Sequence, residues 1–214
     1  MLNLLAQISD AASSPWAFTL VDVVKLALTL IGLCIARSGL KTWKRQLAGK
    51  EEYDVAKRLL GASLHVRDAM QVARDPFIPS GETYFALEKI GITDDPIKVP
   101  EYDRRRSVYG LRMRAVRECI SDLKSVLTEA EVLWGIECRS SFDNLFESYY
   151  ELSRAVTKFI NQTIDGRNQP SPERIKNVEL IVYEGTNGAE NDEFAHRVVN
   201  AIEEARAFCA GKMA

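Results

Sequence analysis

The stretch Trp16 to Ala36, WAFTLVDVVKLALTLIGLCIA, constrains this chain more than any other. It is 21 residues long, and a helix of that length crosses a hydrocarbon core of about 30 Å. Leu26 to Ala36 carries no charge. Trp16 stands at one end, and Trp43 lies beyond the other among Arg37, Lys41, Lys44 and Arg45. Tryptophan favours headgroup depth, and Lys and Arg favour the cytoplasmic side. Trp16 and Trp43 are therefore the expected interface anchors. At a helical rise of about 1.5 Å per residue they lie about 40 Å apart, close to the thickness of a bilayer with its headgroups. Cleaved signal peptides carry positive charge before the apolar run, whereas residues 1–15 hold no Lys or Arg. The expectation is a single-pass anchor with the N-terminus outside and the body in the cytoplasm. The competing readings are a buried helix of a soluble domain and an interfacial helix.

Asp22 and Lys25 keep those readings open, since both interrupt the apolar run. Their i, i+3 spacing puts them on neighbouring faces of one helix, where they can pair. Lys25 can also snorkel outward. The plain reading is a locally neutralised pair near the interface. The sharper one is a polar contact between copies of the helix. Residues 1–14 read as a short interfacial lead, and Ser14 before Pro15 is a plausible helix start.

The rest of the chain reads as mainly α. Val55, Leu59, Ala62, Val66, Ala69 and Ala73 mark one face of a helix over Lys50 to Arg74. Asp75-Pro76 should end it. Residues 76–103, with four prolines, read as irregular apart from a short helix near Glu82 to Ile90. Tyr109, Met113, Val116, Ile120, Leu123, Leu127, Ala130 and Trp134 then alternate by four and three, and Gly135 offers a stop. Phe142, Leu145, Tyr149, Leu152, Val156, Phe159 and Thr163 resume the alternation, with Ser140 or Ser141 as cap. Two such helices predict an antiparallel, coiled-coil-like hairpin. These stripes fit a core better than a partner-binding surface. Asp165 to Pro172 reads as a linker, and Val178 to Tyr183, VELIVY, as a short strand. Phe194, Val198, Ala201, Ile202, Ala205 and Cys209 mark a final amphipathic helix. The expected organisation is an anchor with a basic flank over 1–48, a helical bundle over 49–165 and a C-terminal segment over 166–214.

One group of residues carries a resemblance: Thr42-Trp43-Lys44-Arg45-Gln46-Leu47, Gly49, Tyr53, Arg58-Leu59-Leu60, Arg67-Asp68-Ala69 and Arg74-Asp75-Pro76-Phe77, with Asp192-Glu193-Phe194 farther on. It resembles a bacterial family of single-pass membrane proteins in which a helical body follows the anchor directly. The resemblance implies that architecture and a bacterial inner-membrane location; it brings no activity with it.

Chemistry is sparsely signalled. Cys34, Cys119, Cys138 and Cys209 are far apart, and isolated cysteines usually act as small buried apolar residues. His65 and His196 have no partner at metal-ligand spacing. No catalytic constellation, metal site or cofactor is expected. A net charge of −2 excludes a polycation built for nucleic acid. The one dense cationic feature is Arg104, Arg105, Arg106, Arg112, Arg114 and Arg117, six arginines within fourteen residues. Guanidinium forks suit phosphates and carboxylates, so a nucleotide, RNA or anionic lipid is one reading. The favoured reading is an internal ion-pair surface matched by Glu184, Glu190, Asp192, Glu193, Glu203 and Glu204. Arg112 and Arg114, two apart, cannot share a helix face. Arg67-Asp68 and Arg74-Asp75 read as solvated charge pairs. Gly185-Thr186-Asn187-Gly188 reads as a turn, lacking any phosphate-loop spacing.

The functional expectation is a membrane-tethered scaffold or sensor. Its expected partners are the lipid bilayer and either its own copies or another protein; nucleic acid or nucleotide is the less favoured partner. The alternative is a membrane effector, of a kind used in bacterial defence, in which the body controls oligomerisation of the span. A membrane-tethered hydrolase is a minor third.

Overall fold

Helix α1 runs unbroken over Pro15–Arg74, 60 residues in all. It belongs to a computed structural model that describes residues 15–162, 172–185 and 189–213. It joins the expected span over 16–36 to the expected helix over Lys50 to Arg74: no proline lies between them, and the Lys, Arg, Gln, Leu and Ala there are good helix formers that outweigh Gly39 and Gly49, at about 1 kcal/mol each. The chain divides into two units, Met1–Glu51 and Glu52–Ala214. Over its described residues the first is α1 alone, and from Leu26 to Leu40 every residue is exposed. The short helix expected over residues 1–14 lies outside the described residues.

The second unit holds the last turns of α1 and five further helices: α2 (Ser80–Lys89), α3 (Glu101–Trp134), α4 (Asp143–Gln162), α5 (Pro172–Val182) and α6 (Glu193–Met213). Its core takes Val55, Leu59, Val66, Met70 and Ala73 from α1. Ala62 and Ala69, expected on that face, are only partly buried at its edge. Every expected residue from Tyr109 to Ala130 on α3, and from Phe142, just before α4, to Phe159 on it, is buried. Trp134 is partly buried, and Thr163 lies outside the described residues. Tyr109, near the start of α3, meets Phe159, near the end of α4, edge-on at 5.5 Å.

The punctuation follows local chemistry. Asp75 turns the chain after α1 by accepting a hydrogen bond from the Phe77 amide at 2.8 Å. Gly135 ends α3 at φ 83° and ψ 169°, a combination almost confined to glycine. A 3₁₀ segment, Ile136–Phe142, leads into α4. Neither expected serine caps α4, and the Ser140 hydroxyl instead donates to the Glu137 carbonyl. The helix expected near Glu82 to Ile90 is α2, beginning two residues earlier.

The expected strand is absent. Val178 to Val182 is the second half of α5, and no strand occurs among the described residues. A short apolar run does not distinguish periods two and 3.6 by itself. Burial decides it here, since Val178 and Val182, four apart, are both buried while Leu180 and Ile181 are only partly so. Tertiary packing outweighs the β propensity of valine and isoleucine. Pro172 at the first helical position suits a helix start.

Candidate functional site

The arginine cluster occupies the first five turns of α3, and helix geometry sorts its members. Arg112 lies on the stripe between Tyr109 and Val116 and is buried. Its Nε and one terminal nitrogen each donate to a different Glu82 oxygen at 2.7 Å. The guanidinium also donates to the carbonyls of Asp75 and Phe77. Burial opposes its charge, but the Glu82 carboxylate outweighs that and pushes the Arg112 pKa up. Arg112 thereby ties α2 and the turn after α1 to α3. Two residues on, Arg114 is exposed, as are Arg106 and Arg117. Arg105 pairs with Glu101 one turn back and lies over the Phe159 ring at 5.9 Å. Arg104 is half-buried, and its Nε is enclosed without an acceptor among the described residues.

Four of the six C-terminal acids expected to match this cluster have other partners, and Glu190 and Glu193 are exposed. Glu203 pairs with Arg206, Glu204 accepts from Asn144, and Glu184 accepts from Gln71. Asp192 pairs with Arg74. The acid that matches the cluster's buried member is Glu82.

Arg74 departs furthest from its expected solvated role. Its side chain is 3% exposed and that of Asp192 5%, with 2.9 Å between them. One terminal nitrogen reaches both Asp192 oxygens and the carbonyls of Leu180 and Tyr183. Nε donates to the Ile181 carbonyl at 2.7 Å. Arg74 thus satisfies carbonyls at the C-terminal end of α5, where a helix has no internal donors left. Asp192 works at the opposite helix end. It caps α6 by accepting from the Ala195 amide and closes the turn by accepting from Gly185. The Phe194 ring stacks on the guanidinium, 4.7 Å from Cζ. Burial pushes the Asp192 carboxyl up, but the two amides and Arg74 outweigh it and hold it below the usual carboxylate range. The signal was present in the sequence: Arg74 follows Met70 by four residues on the buried face of α1. Arg67-Asp68 does form an exposed neighbouring pair, at 2.7 Å.

Cavities flank this pair. One of about 320 Å³ is lined by Glu151, Asn177, Asp192, Glu193 and Arg197 among others. Another, of about 160 Å³, lies against Met70, Arg74, Phe194 and Val198. No group of metal-ligating side chains occurs among the described residues.

In the first unit the Lys25 Nζ lies 3.8 Å from Asp22 Oδ1, on the exposed helix surface. Trp43 is exposed, and the Trp16 side chain lies outside the described residues. Asp22–Arg74 is the one stretch of described helix long and apolar enough to cross a membrane, with an 18-residue window of mean hydropathy 1.8 and none of that window buried. Compared with family models, curated proteins and solved structures, the chain matches none.

Proposed function

We propose that this chain is a membrane-tethered helical interaction protein: α1 places residues 16–36 in a bilayer, and the helical unit from Glu52 recruits or senses a partner at the membrane face. The observation that carries the reading is the apolar window of α1 with no buried residue. Leu26, Leu28, Leu30, Ile31, Leu33 and Ile35 are each more than half exposed. Such a surface in water forfeits about 25 cal/mol for each Å² left unburied, and a continuous apolar face of this kind marks an interaction site or a membrane segment. The basic flank and Trp43 support insertion with the body in the cytoplasm. The periodic stripes of α3 and α4, and the contact of Tyr109 with Phe159, support an antiparallel hairpin at the centre of the body. Carbonate washing of membranes tests the tether. The full chain should stay in the pellet while a chain beginning at Lys50 is released, and release of the full chain would contradict the reading.

A second reading rests on the Asp22–Lys25 pair. A charged pair on an exposed apolar helix favours contact between copies of that helix once it is in lipid. This fits an effector whose helical unit controls assembly of the span. Induced expression with a membrane-potential dye separates the two. Depolarisation that requires Asp22 and Lys25 would favour the effector, and growth without depolarisation would favour the scaffold.

A further inference from the structure

A cavity of about 260 Å³ lies between the chain before and within α2 and the first turns of α3. Ile78, Thr83, Glu101, Arg104, Arg105 and Val108 line it. Its charges are unequally matched. Glu101 is neutralised by Arg105, one helical turn away. Arg104 has no ion-pair partner, and its enclosed Nε no acceptor, among the described residues. An enclosed N–H without an acceptor is costly, and charge-assisted hydrogen bonds are the strongest remedy. Glu82, beside Thr83 on α2, is committed to Arg112. Of the C-terminal acids, Glu184, Asp192, Glu203 and Glu204 are committed elsewhere, and Glu190 and Glu193 are exposed and form no ion pair with Arg104. Arg104 is thus half-buried beside a cavity with no acceptor for its guanidinium among the described residues, an arrangement that suits an anion from outside.

We propose that this cavity binds a phosphate group, with Arg104 as its principal ligand and Thr83 contributing a hydroxyl. The chemistry is that of an oxyanion met by a guanidinium and a neutral donor from another element. The size argues against a nucleotide, since pockets for drug-sized ligands begin at about 300 Å³. Free phosphate and the phosphate of a lipid headgroup share the chemistry required. The site lies within one unit of the chain and is independent of whether α1 lies in a membrane.

Two arms test the site and separate the sources, both with the full chain. In neutral detergent, inorganic phosphate is titrated against chloride at constant ionic strength. In nanodiscs, phosphatidylcholine alone is compared with phosphatidylcholine containing phosphatidic acid. Hydrogen exchange over residues 78–84 and 101–108 is the common readout, with calorimetry in the first arm. Saturable protection by phosphate, at least about tenfold weaker in Arg104→Gln and unchanged in Arg106→Gln, is expected if free phosphate is the ligand. Protection only in phosphatidic acid discs, with the same dependence on Arg104, assigns the headgroup. If Arg104→Gln does not fold, Thr83→Val decides, because it removes one donor and leaves the charge pattern intact. Its affinity should fall severalfold. No saturable protection in either arm, or equal protection in wild type and folded Arg104→Gln, or no change in Thr83→Val where it has to decide, would overturn the proposal.

Discussion

Replacing Arg74 by Met should unfold the helical unit more readily than any exposed substitution. The side chain is 3% exposed and donates to Asp192 and to three carbonyls of the α5 end. Methionine keeps much of the apolar stem and removes every donor. What remains is a buried carboxylate without its cation and a helix end without its cap. Breaking one side of a buried ion pair costs about 3–5 kcal/mol, a large part of the roughly 5–15 kcal/mol that domains possess. At about 2–4 °C per kcal/mol for this size, the melting temperature should fall by about 6–20 °C. Arg74→Lys should recover only part of the loss, because an ammonium cannot reproduce the fork that serves carboxylate and carbonyls together. Thermal and urea unfolding of Arg74→Met, Asp192→Asn and the double variant measure the coupling directly. Acid adds a second signature. Asp192 has its pKa lowered on folding, so the stability it confers is full above the unfolded value of about 3.9. That stability is lost as pH falls through the lower folded value, and Asp192→Asn should flatten this part of the acid limb. An Arg74→Met variant melting within about 1 °C of wild type would refute the reasoning, since even 1 kcal/mol shifts a domain of this size by more.

Ile120→Asp and Phe159→Asp each put a charge at a buried position of its stripe; each should cost several kcal/mol, or leave the aspartate neutral, and circular dichroism of the purified variants checks it. Gly135→Ala forces a side chain onto φ 83° and should cost about 1–3 kcal/mol, measured by urea unfolding. Arg112→Gln should loosen residues 75–90 before the rest of the helical unit, because Glu82 and the carbonyls of Asp75 and Phe77 lose their shared donor; hydrogen exchange over that segment reads it, and uniform exchange across the unit would contradict it.

The α3 and α4 stripes were legible because their period is unbroken over many turns and burial follows it residue by residue. The final helix was legible for the same reason, with all six expected residues from Phe194 to Cys209 buried. The α5 segment was not, because VELIVY is too short to show its period and consists largely of residues that favour strands. Its state is decided by Val178 and Val182 meeting the core. The arginines illustrate a different limit. Spacing separated Arg112 from Arg114, but the choice of Glu82 over the C-terminal acids depends on where α2 packs, and no local pattern encodes that. Spacing from Met70 signalled the burial of Arg74, but its partner was misread for the same reason. Its neighbour Asp75 offered a partner in sequence, while Asp192 is its partner in space.

The tether is most directly tested at Cys34. This thiol is exposed on α1, whereas Cys138 and Cys209 are buried and Cys119 is half-buried. Burial pushes the Cys209 thiol up to about 11, and burial likewise raises those of Cys119 and Cys138. The thiolate is the reactive form, so these three should label slowly in the folded unit. In water, Cys34 would be the first to react. Native membranes opened to both sides are treated with a water-soluble maleimide, and modification is mapped at each cysteine by mass spectrometry, with SDS-denatured protein as the reference. If residues 16–36 lie in the bilayer, Cys34 stays unmodified until the membrane is dissolved. Rapid modification of Cys34 in intact bilayers, ahead of the other three cysteines, would place the segment in water and contradict the tether.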